Sequence, residues 1–246
     1  KTEEGKLIRK AFVPEYDYLI SFDYSQIELR VLAHLANVTS LIEAFNHNKD
    51  IHRHTASVVF GVSEDEVTSS MRRNAKAVNF GIIYGMSDYG LAEQLGVSVK
   101  EAKSFIQKYF EQYSEIQDYM NKNIAFGKEN GYVSTVLNRK RYIPEINEKN
   151  YMRQEFGKRL AMNSPIQGSA ADIIKLAMIK VDQLLKENHM KSKMILQVHD
   201  ELIFDVYEDE LEQMMKLVQT GMESAYQMTV ELKAEGTYAK NWYELK

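Results

Sequence analysis

Two apolar β patterns stand near opposite ends of this chain, with a long helical stretch between them. The first is YLISFDYS (18–25). The second is KMILQVHDELIFDVY (193–207), two apolar runs joined by an acidic turn. A strand has to bury its apolar face against another layer. The order therefore predicts a mixed sheet built from both ends of the sequence, with a helical subdomain inserted between them. If the first pattern pairs with the second, two acidic spots meet. Asp23 ends the first strand, and Asp200 and Glu201 fill the turn of the second.

The intervening pattern is helical almost throughout. QIELRVLAHLA (26–36) sets Ile27, Val31, Leu32 and Leu35 on one helix face. DIHRHTASVVFG (50–61) opens on an acidic cap and closes on Gly61. Residues 64–131 read as helix with breaks near Ser87 and Gly96, and GYVSTVLNRKRYIPEI (131–146) as a hairpin with a basic turn. A helix is expected over 150–163, then a stop at Pro165, then a longer helix over 169–187. A helix over 208–227 and a strand over 230–235 complete the expectation.

Composition narrows the class. The 246 residues are 44% hydrophobic, which suits one or two domains. The absence of cysteine excludes disulfides and thiolate metal sites. No apolar run approaches the roughly 20 residues of a membrane span. No signal peptide opens the sequence, so the expected location is cytoplasmic, with no membrane partner. The first residue is Lys1, so a fragment or processed product is expected. A net charge of −4 argues mildly against a protein that coats nucleic acid. Local patches decide binding, however, and RRNAK (72–76), NRKR (138–141) and RQEFGKR (153–159) are strongly basic.

Two of these features suggest chemistry. Carboxylates are costly to bury unless paired or bound to metal. Asp23 and Asp200 on adjacent strands could hold two divalent cations, and oxygen-only ligation favours Mg²⁺ over zinc. The alternative is an ordinary exposed turn. In MRRNAKAVNFGIIYGM, Arg72, Lys76, Phe80 and Tyr84 recur every fourth residue and share one helix face. The cations suit a triphosphate, and the rings suit a base or sugar. The alternative is an amphipathic helix with a basic solvent end and aromatic core contacts.

DYSQIELRVLAHL (23–35), RRNAKAVNFGIIYGM (72–86) and QVHDELIFDV (197–206) resemble the three polymerase motifs of the A-family DNA polymerases, of the bacterial DNA polymerase I type. The similarity runs from KTEEGKLIRKAF to NWYELK. It implies an α+β right-hand palm, an antiparallel sheet with helices, carrying an inserted helical fingers subdomain. Palm is expected over 1–50 and 151–246, and fingers over 51–150, without a thumb. Template-directed DNA synthesis is implied, with dNTP and primer–template DNA as partners. Thumb and exonuclease-like regions are expected upstream in a longer parent.

The resemblance also assigns residues. Asp23, Asp200 and the backbone carbonyl of Tyr24 match ligands of two Mg²⁺ ions, for which Mn²⁺ can substitute. Glu201 matches a nearby catalytic acid. Arg72, Lys76 and His52 match triphosphate contacts, Phe80 the ring beside the sugar, and Tyr84 the ring beside the templating position. Glu28 matches the residue that crowds the ribose 2′ position, and Gln26 falls with the nucleotide contacts. Arg159, Asn163, Gln167 and His199 match residues lining the primer–template. Rival readings are a single-subunit RNA polymerase, which Glu28 argues against, a metal phosphohydrolase using His52, His54, His199 and Asp200, and a non-enzymatic DNA-binding module.

Overall fold

The computed structural model describes residues 3–245. From the N-terminus its elements are α1 (Glu3–Leu7), β1 (Tyr18–Tyr24), α2 (Ile27–Leu35), α3 (Thr39–Asn46), α4 (Ile51–Phe60) and α5 (Ser69–Ile83). Next come α6 (Asp88–Leu95), α7 (Val99–Gln112), α8 (Ser114–Asn130), β2 (Tyr132–Ser134) and β3 (Lys140–Tyr142). The chain ends with α9 (Tyr151–Glu187), β4 (Lys193–Val198), β5 (Glu201–Val206), α10 (Leu211–Glu223) and β6 (Ala234–Ala239). Contacts group these into two compact units. One joins residues up to 27 with residues from 170 onward, and the other comprises 28–169.

The first unit is built on a sheet of order β4-β5-β1-β6. Every pairing is antiparallel, where the segment order had suggested a mixed sheet. The central strands β1 and β5 are buried on both faces, so both read as continuous apolar runs rather than alternating ones. Leu19 and Ile203 pack with Leu245 on one face. On the other, the Tyr24 hydroxyl donates to the Met222 carbonyl of α10 at 2.6 Å. Gly221 lets α10 approach α9 closely, since a Cβ there would lie 2.6 Å from Val181 Cγ2. β4 differs from the buried strand the sequence suggested. It is an edge strand, with Ile195 and Leu196 exposed.

The last strand is also displaced from its expected range. Val230 and Leu232 are buried, which produces the alternation read as a strand over 230–235. The ladder to β1 is instead carried by Ala234–Ala239. Alternation reports burial of every second side chain, and pairing is a separate matter. Likewise, α10 ends at Glu223, short of the expected 227.

In the second unit the breaks at Ser87 and Gly96 stand as expected, Ser87 capping α6 and Gly96 ending it in the left-handed conformation. Two further breaks fall at Val67–Thr68, ahead of α5, and at Tyr113, between α7 and α8. Helix α3 was not foreseen, because no side chain caps its start. The expected stop at Pro165 does not occur, and α9 runs unbroken through it. Proline removes one backbone bond and costs a helix interior about 3 kcal/mol. Ala161, Ile166 and Ser169 beside it are fully buried. Ser169 Oγ donates to the Pro165 carbonyl and accepts from Val136 N at 3.0 Å. Burial on both sides of the proline outweighs the lost bond.

Candidate active site

The acidic residues gather where β1 ends and β5 begins. Asp23 lies directly across from Glu201 in the antiparallel register. Tyr24 N donates to the Asp200 carbonyl at 3.3 Å. The strand ladder thus fixes Asp23, Tyr24, Asp200 and Glu201 as neighbours, whatever their side chains do. Glu201 is buried, and Ser21 Oγ donates to its Oε1 at 2.6 Å. On the far side of Asp23, β6 sets Glu235 in register. The sequence reading gave this fourth carboxylate no role, although the strand expected over 230–235 ended on it, because nothing in the sequence said which strand β6 pairs with.

Local backbone conformation marks the same spot. His199 and Asp200 form a two-residue hairpin turn between the paired Val198 and Glu201. His199 adopts φ 57° and Gln26 φ 53°, a left-handed conformation that side-chain-bearing residues rarely adopt. Such turns usually take Gly, Asn or Asp. Among the described residues, the other non-glycine residues with positive φ are three asparagines in turns or near helix ends and His189 just after α9. Gln26 Oε1 is a buried acceptor without a partner among the described residues. Strain and an unsatisfied acceptor together beside two aspartates are the pattern of a functional site.

The donor set fits a divalent cation of the Mg²⁺ kind. Among the described residues no group of three or more His, Asp or Glu side chains is placed to hold a metal ion by itself. Mg²⁺ characteristically takes one or two carboxylates and completes its shell with water and substrate phosphate oxygens. Asp23, Asp200 and the carbonyl of Tyr24, adjacent through the ladder, could supply such an open, all-oxygen set.

The basic residues form a second cluster, at α4 and α5 in the other unit. Asp50 caps α4, its Oδ1 accepting from His52 N at 3.0 Å and Arg53 N at 3.1 Å. Its Oδ2 takes Arg72 Nε at 2.6 Å. Burial works to raise the Asp50 pKa. The bonds from Arg72 and Arg53 and the Arg72 charge outweigh it and hold the carboxyl below its usual range. The imidazole of His52 is buried, and Asn79 Nδ2 lies 3.0 Å from its Nδ1. Burial, with Arg72 and Lys76 adding to it, pushes the His52 pKa down to about 4 against the opposing pull of Asp50. His52 is therefore neutral near pH 7.

Along α5, Arg72 and Lys76 are exposed and Phe80 half-buried. The Phe80 and Tyr84 rings stack with centroids 6.3 Å apart. The face expected from the four-residue spacing is real, and both of its ends meet solvent. The Tyr84 hydroxyl donates to Glu28 Oε2 at 2.8 Å, a link across 56 residues that no spacing announces. Gly85, at φ 63°, closes the turn after α5. A Cβ there would come within 2.9 Å of Arg159 Cγ on α9. Arg159, Asn163 and Gln167 follow at four-residue intervals on α9 and share its face. Asn163 Oδ1 is another buried acceptor without a partner among the described residues. His199 lies apart from these three in sequence and belongs to the first unit. His54 Nδ1 pairs with Glu64 at 2.8 Å.

A family model for DNA polymerase family A matches residues 1–244. The chain is 54% identical over its whole length to the DNA polymerase I of Caldicellulosiruptor bescii, covering 29% of that protein. It is 52% identical to the DNA polymerase I of Bacillus subtilis, again over the whole chain and 28% of the relative. It thus spans less than a third of the length of these curated relatives. Among solved structures, the POL domain of Pol1 from M. smegmatis in complex with DNA primer-template and dNTP matches with a TM-score of 0.94. That match has 46% identity and covers 100% of this chain and 44% of that one.

Proposed function

Because the chain belongs to DNA polymerase family A, we propose that it adds deoxynucleotides from dNTPs to the 3′-hydroxyl of a DNA primer, as directed by a template strand. The observation that carries this reading is the β1–β5 register, which makes Asp23, Tyr24 and Asp200 neighbours. On this reading Asp23, Asp200 and the Tyr24 carbonyl hold two Mg²⁺ ions, which when bound supply an activated 3′-hydroxyl and stabilise the pyrophosphate leaving group. Glu201, fixed by Ser21, supports the acidic end of the strands.

The basic cluster serves the nucleotide. Arg72, Lys76 and neutral His52 offset charge developing on the phosphates. Asp50 holds the Arg72 guanidinium by one edge and leaves its other donors for an anion. Phe80 packs by the sugar, and Tyr84 sits by the templating position. Glu28, held by Tyr84, crowds the 2′ position against ribonucleotides, and Gln26 contacts the incoming nucleotide. Arg159, Asn163, Gln167 and His199 line the minor groove of the primer–template. Acceptors there look alike across base pairs, so polar contacts test duplex shape without reading sequence. Residues 1–50 and 151–246 act as palm and 51–150 as fingers, within a longer parent that carries further regions upstream.

The test is primer extension on a primed DNA template with Mg²⁺ and dNTPs, beside Asp200→Ala. Template-directed addition that is absent in the variant is the expected result. Release of inorganic phosphate without extension would replace this reading with a metal phosphohydrolase. Primer–template binding without either product would replace it with a DNA-binding fragment.

A further inference from the structure

The deepest part of the basic cluster is a chain of buried polar groups that the triphosphate reading leaves unused. Thr55 on α4 and Asn79 on α5 are both buried. Thr55 Oγ1 donates to Asn79 Oδ1 at 3.2 Å. The other end of the Asn79 amide, Nδ2, lies 3.0 Å from His52 Nδ1. A hydroxyl can donate or accept, but an amide is asymmetric. Its oxygen only accepts and its nitrogen only donates. In the structure Thr55 takes the amide oxygen and the amide nitrogen faces His52, and in that arrangement Nδ1 of the imidazole accepts. A neutral imidazole that accepts at Nδ1 carries its proton on Nε2.

We propose that Thr55 and Asn79 are positioning residues that fix His52 as the Nε2–H tautomer, so that it offers a hydrogen-bond donor to the nucleotide triphosphate beside Arg72 and Lys76. The inference rests on the nucleotide-binding reading of this cluster. It explains how a histidine held neutral by burial and two cations can still serve an anion. With the other tautomer its remaining nitrogen would present a lone pair to phosphate oxygen and repel it. It also explains why Asn79 is the buried polar member of the run RRNAKAVNF, whose cations are exposed. The side chain of Asn79 points to a partner on α4 rather than to solvent.

Two measurements on this chain test the proposal. Long-range ¹⁵N–¹H spectra of the imidazoles report the tautomer directly, and titration with a dNTP in Mg²⁺ reports affinity without requiring turnover. The expected result is an Nε2–H signal for His52 in the wild type. Asn79→Asp can accept but not donate, so it should convert that signal to Nδ1–H. It should also weaken dNTP binding by about tenfold, the order of one charge-assisted hydrogen bond. Thr55→Val frees the amide to flip and should weaken binding less, and Thr55→Ser should restore what Thr55→Val loses. This pair tests the relay even if the buried carboxylate unfolds the protein. An Nδ1–H signal in the wild type overturns the inference. So does a correct tautomer with dNTP affinity unchanged in both Asn79→Asp and Thr55→Val. Failure of the wild type to bind dNTP at all overturns the nucleotide reading itself, and the inference with it.

Discussion

The acidic and basic clusters are held by different means. Asp23, Tyr24, Asp200 and Glu201 owe their adjacency to the main-chain ladder between β1 and β5. Any residues at those positions would be neighbours. His52, Arg72 and Asn79 owe theirs to side chains. Asp50 grips Arg72, and Asn79 grips His52. A ladder fixes where a backbone atom lies and tolerates changes of side chain. A side-chain network fixes protonation, tautomer and orientation, and fails when one member changes. The acidic cluster is thus suited to holding a hard cation at a constant place, and the basic cluster to presenting donors of defined geometry to an anion.

That contrast predicts different kinetic failures. Asp23→Asn or Asp200→Ala removes a proposed metal ligand without disturbing the ladder. The expected loss is in kcat, on the order of 10³-fold, with the KM for dNTP nearly unchanged. Arg72→Ala removes a proposed phosphate contact and frees Asp50 from its partner. Here kcat/KM for dNTP should fall by about 10²-fold, with much of the loss in KM. Steady-state primer extension with varied dNTP separates the two. Equal changes of kcat and KM in both sets of variants would erase the distinction.

The same contrast governs what the sequence can disclose. Strand β1 and the β4–β5 hairpin are legible because their apolar runs mark strands and a turn, and pairing two strands fixes Asp23 near Asp200. The face of α5 is legible because a helix has one period. The Tyr84–Glu28 and Thr55–Asn79–His52 bonds are not, since they depend on which helices pack together and at what rotation. Asp50 illustrates the boundary. Its role as a helix cap follows from local sequence, whereas its bond to Arg72 requires α4 and α5 side by side. Pro165 and the last strand show the converse. There a local signal, the missing N–H in one case and alternation in the other, is overridden by burial around Ala161 and Ile166 and by pairing with β1.

Stability offers a further way to separate ladder from network. Asp205, on β5 well away from the turn, accepts from Glu15 N at 2.8 Å and Tyr16 N at 3.1 Å and is buried. Asp205→Ala leaves two backbone donors without their charged partner. The expected loss is about 3 kcal/mol, or on the order of 10 °C in Tm. The kcat measured well below the transition should stay within about twofold, because the β1–β5 ladder beside Asp200 persists. Thermal unfolding by circular dichroism, followed by primer extension at low temperature, checks both. A large loss of kcat in the folded variant would mean that the acidic end depends on side chains along β5 after all.

The smallest expected effect is a pH slope. His52 has a folded pKa near 4, below the ordinary value of about 6.5. Between these values the unfolded chain binds a proton that the folded chain does not. Stability from this group is therefore complete above about pH 6.5 and declines as pH falls toward 4. Asp50 is depressed too, but its contribution is lost only below the ordinary carboxylate range, so the two windows barely overlap. Burial also lowers the pKa of His34, which adds a slope of the same sign. Comparing wild type with His52→Gln isolates His52, because His34 is present in both. Urea unfolding at several pH values from 7 to 4 should give a shallower decline for His52→Gln. Parallel curves would mean that the imidazole titrates alike in both states. The network would then bind His52 too loosely to keep the proton off, and the basic cluster would be held no more specifically than any exposed helix face.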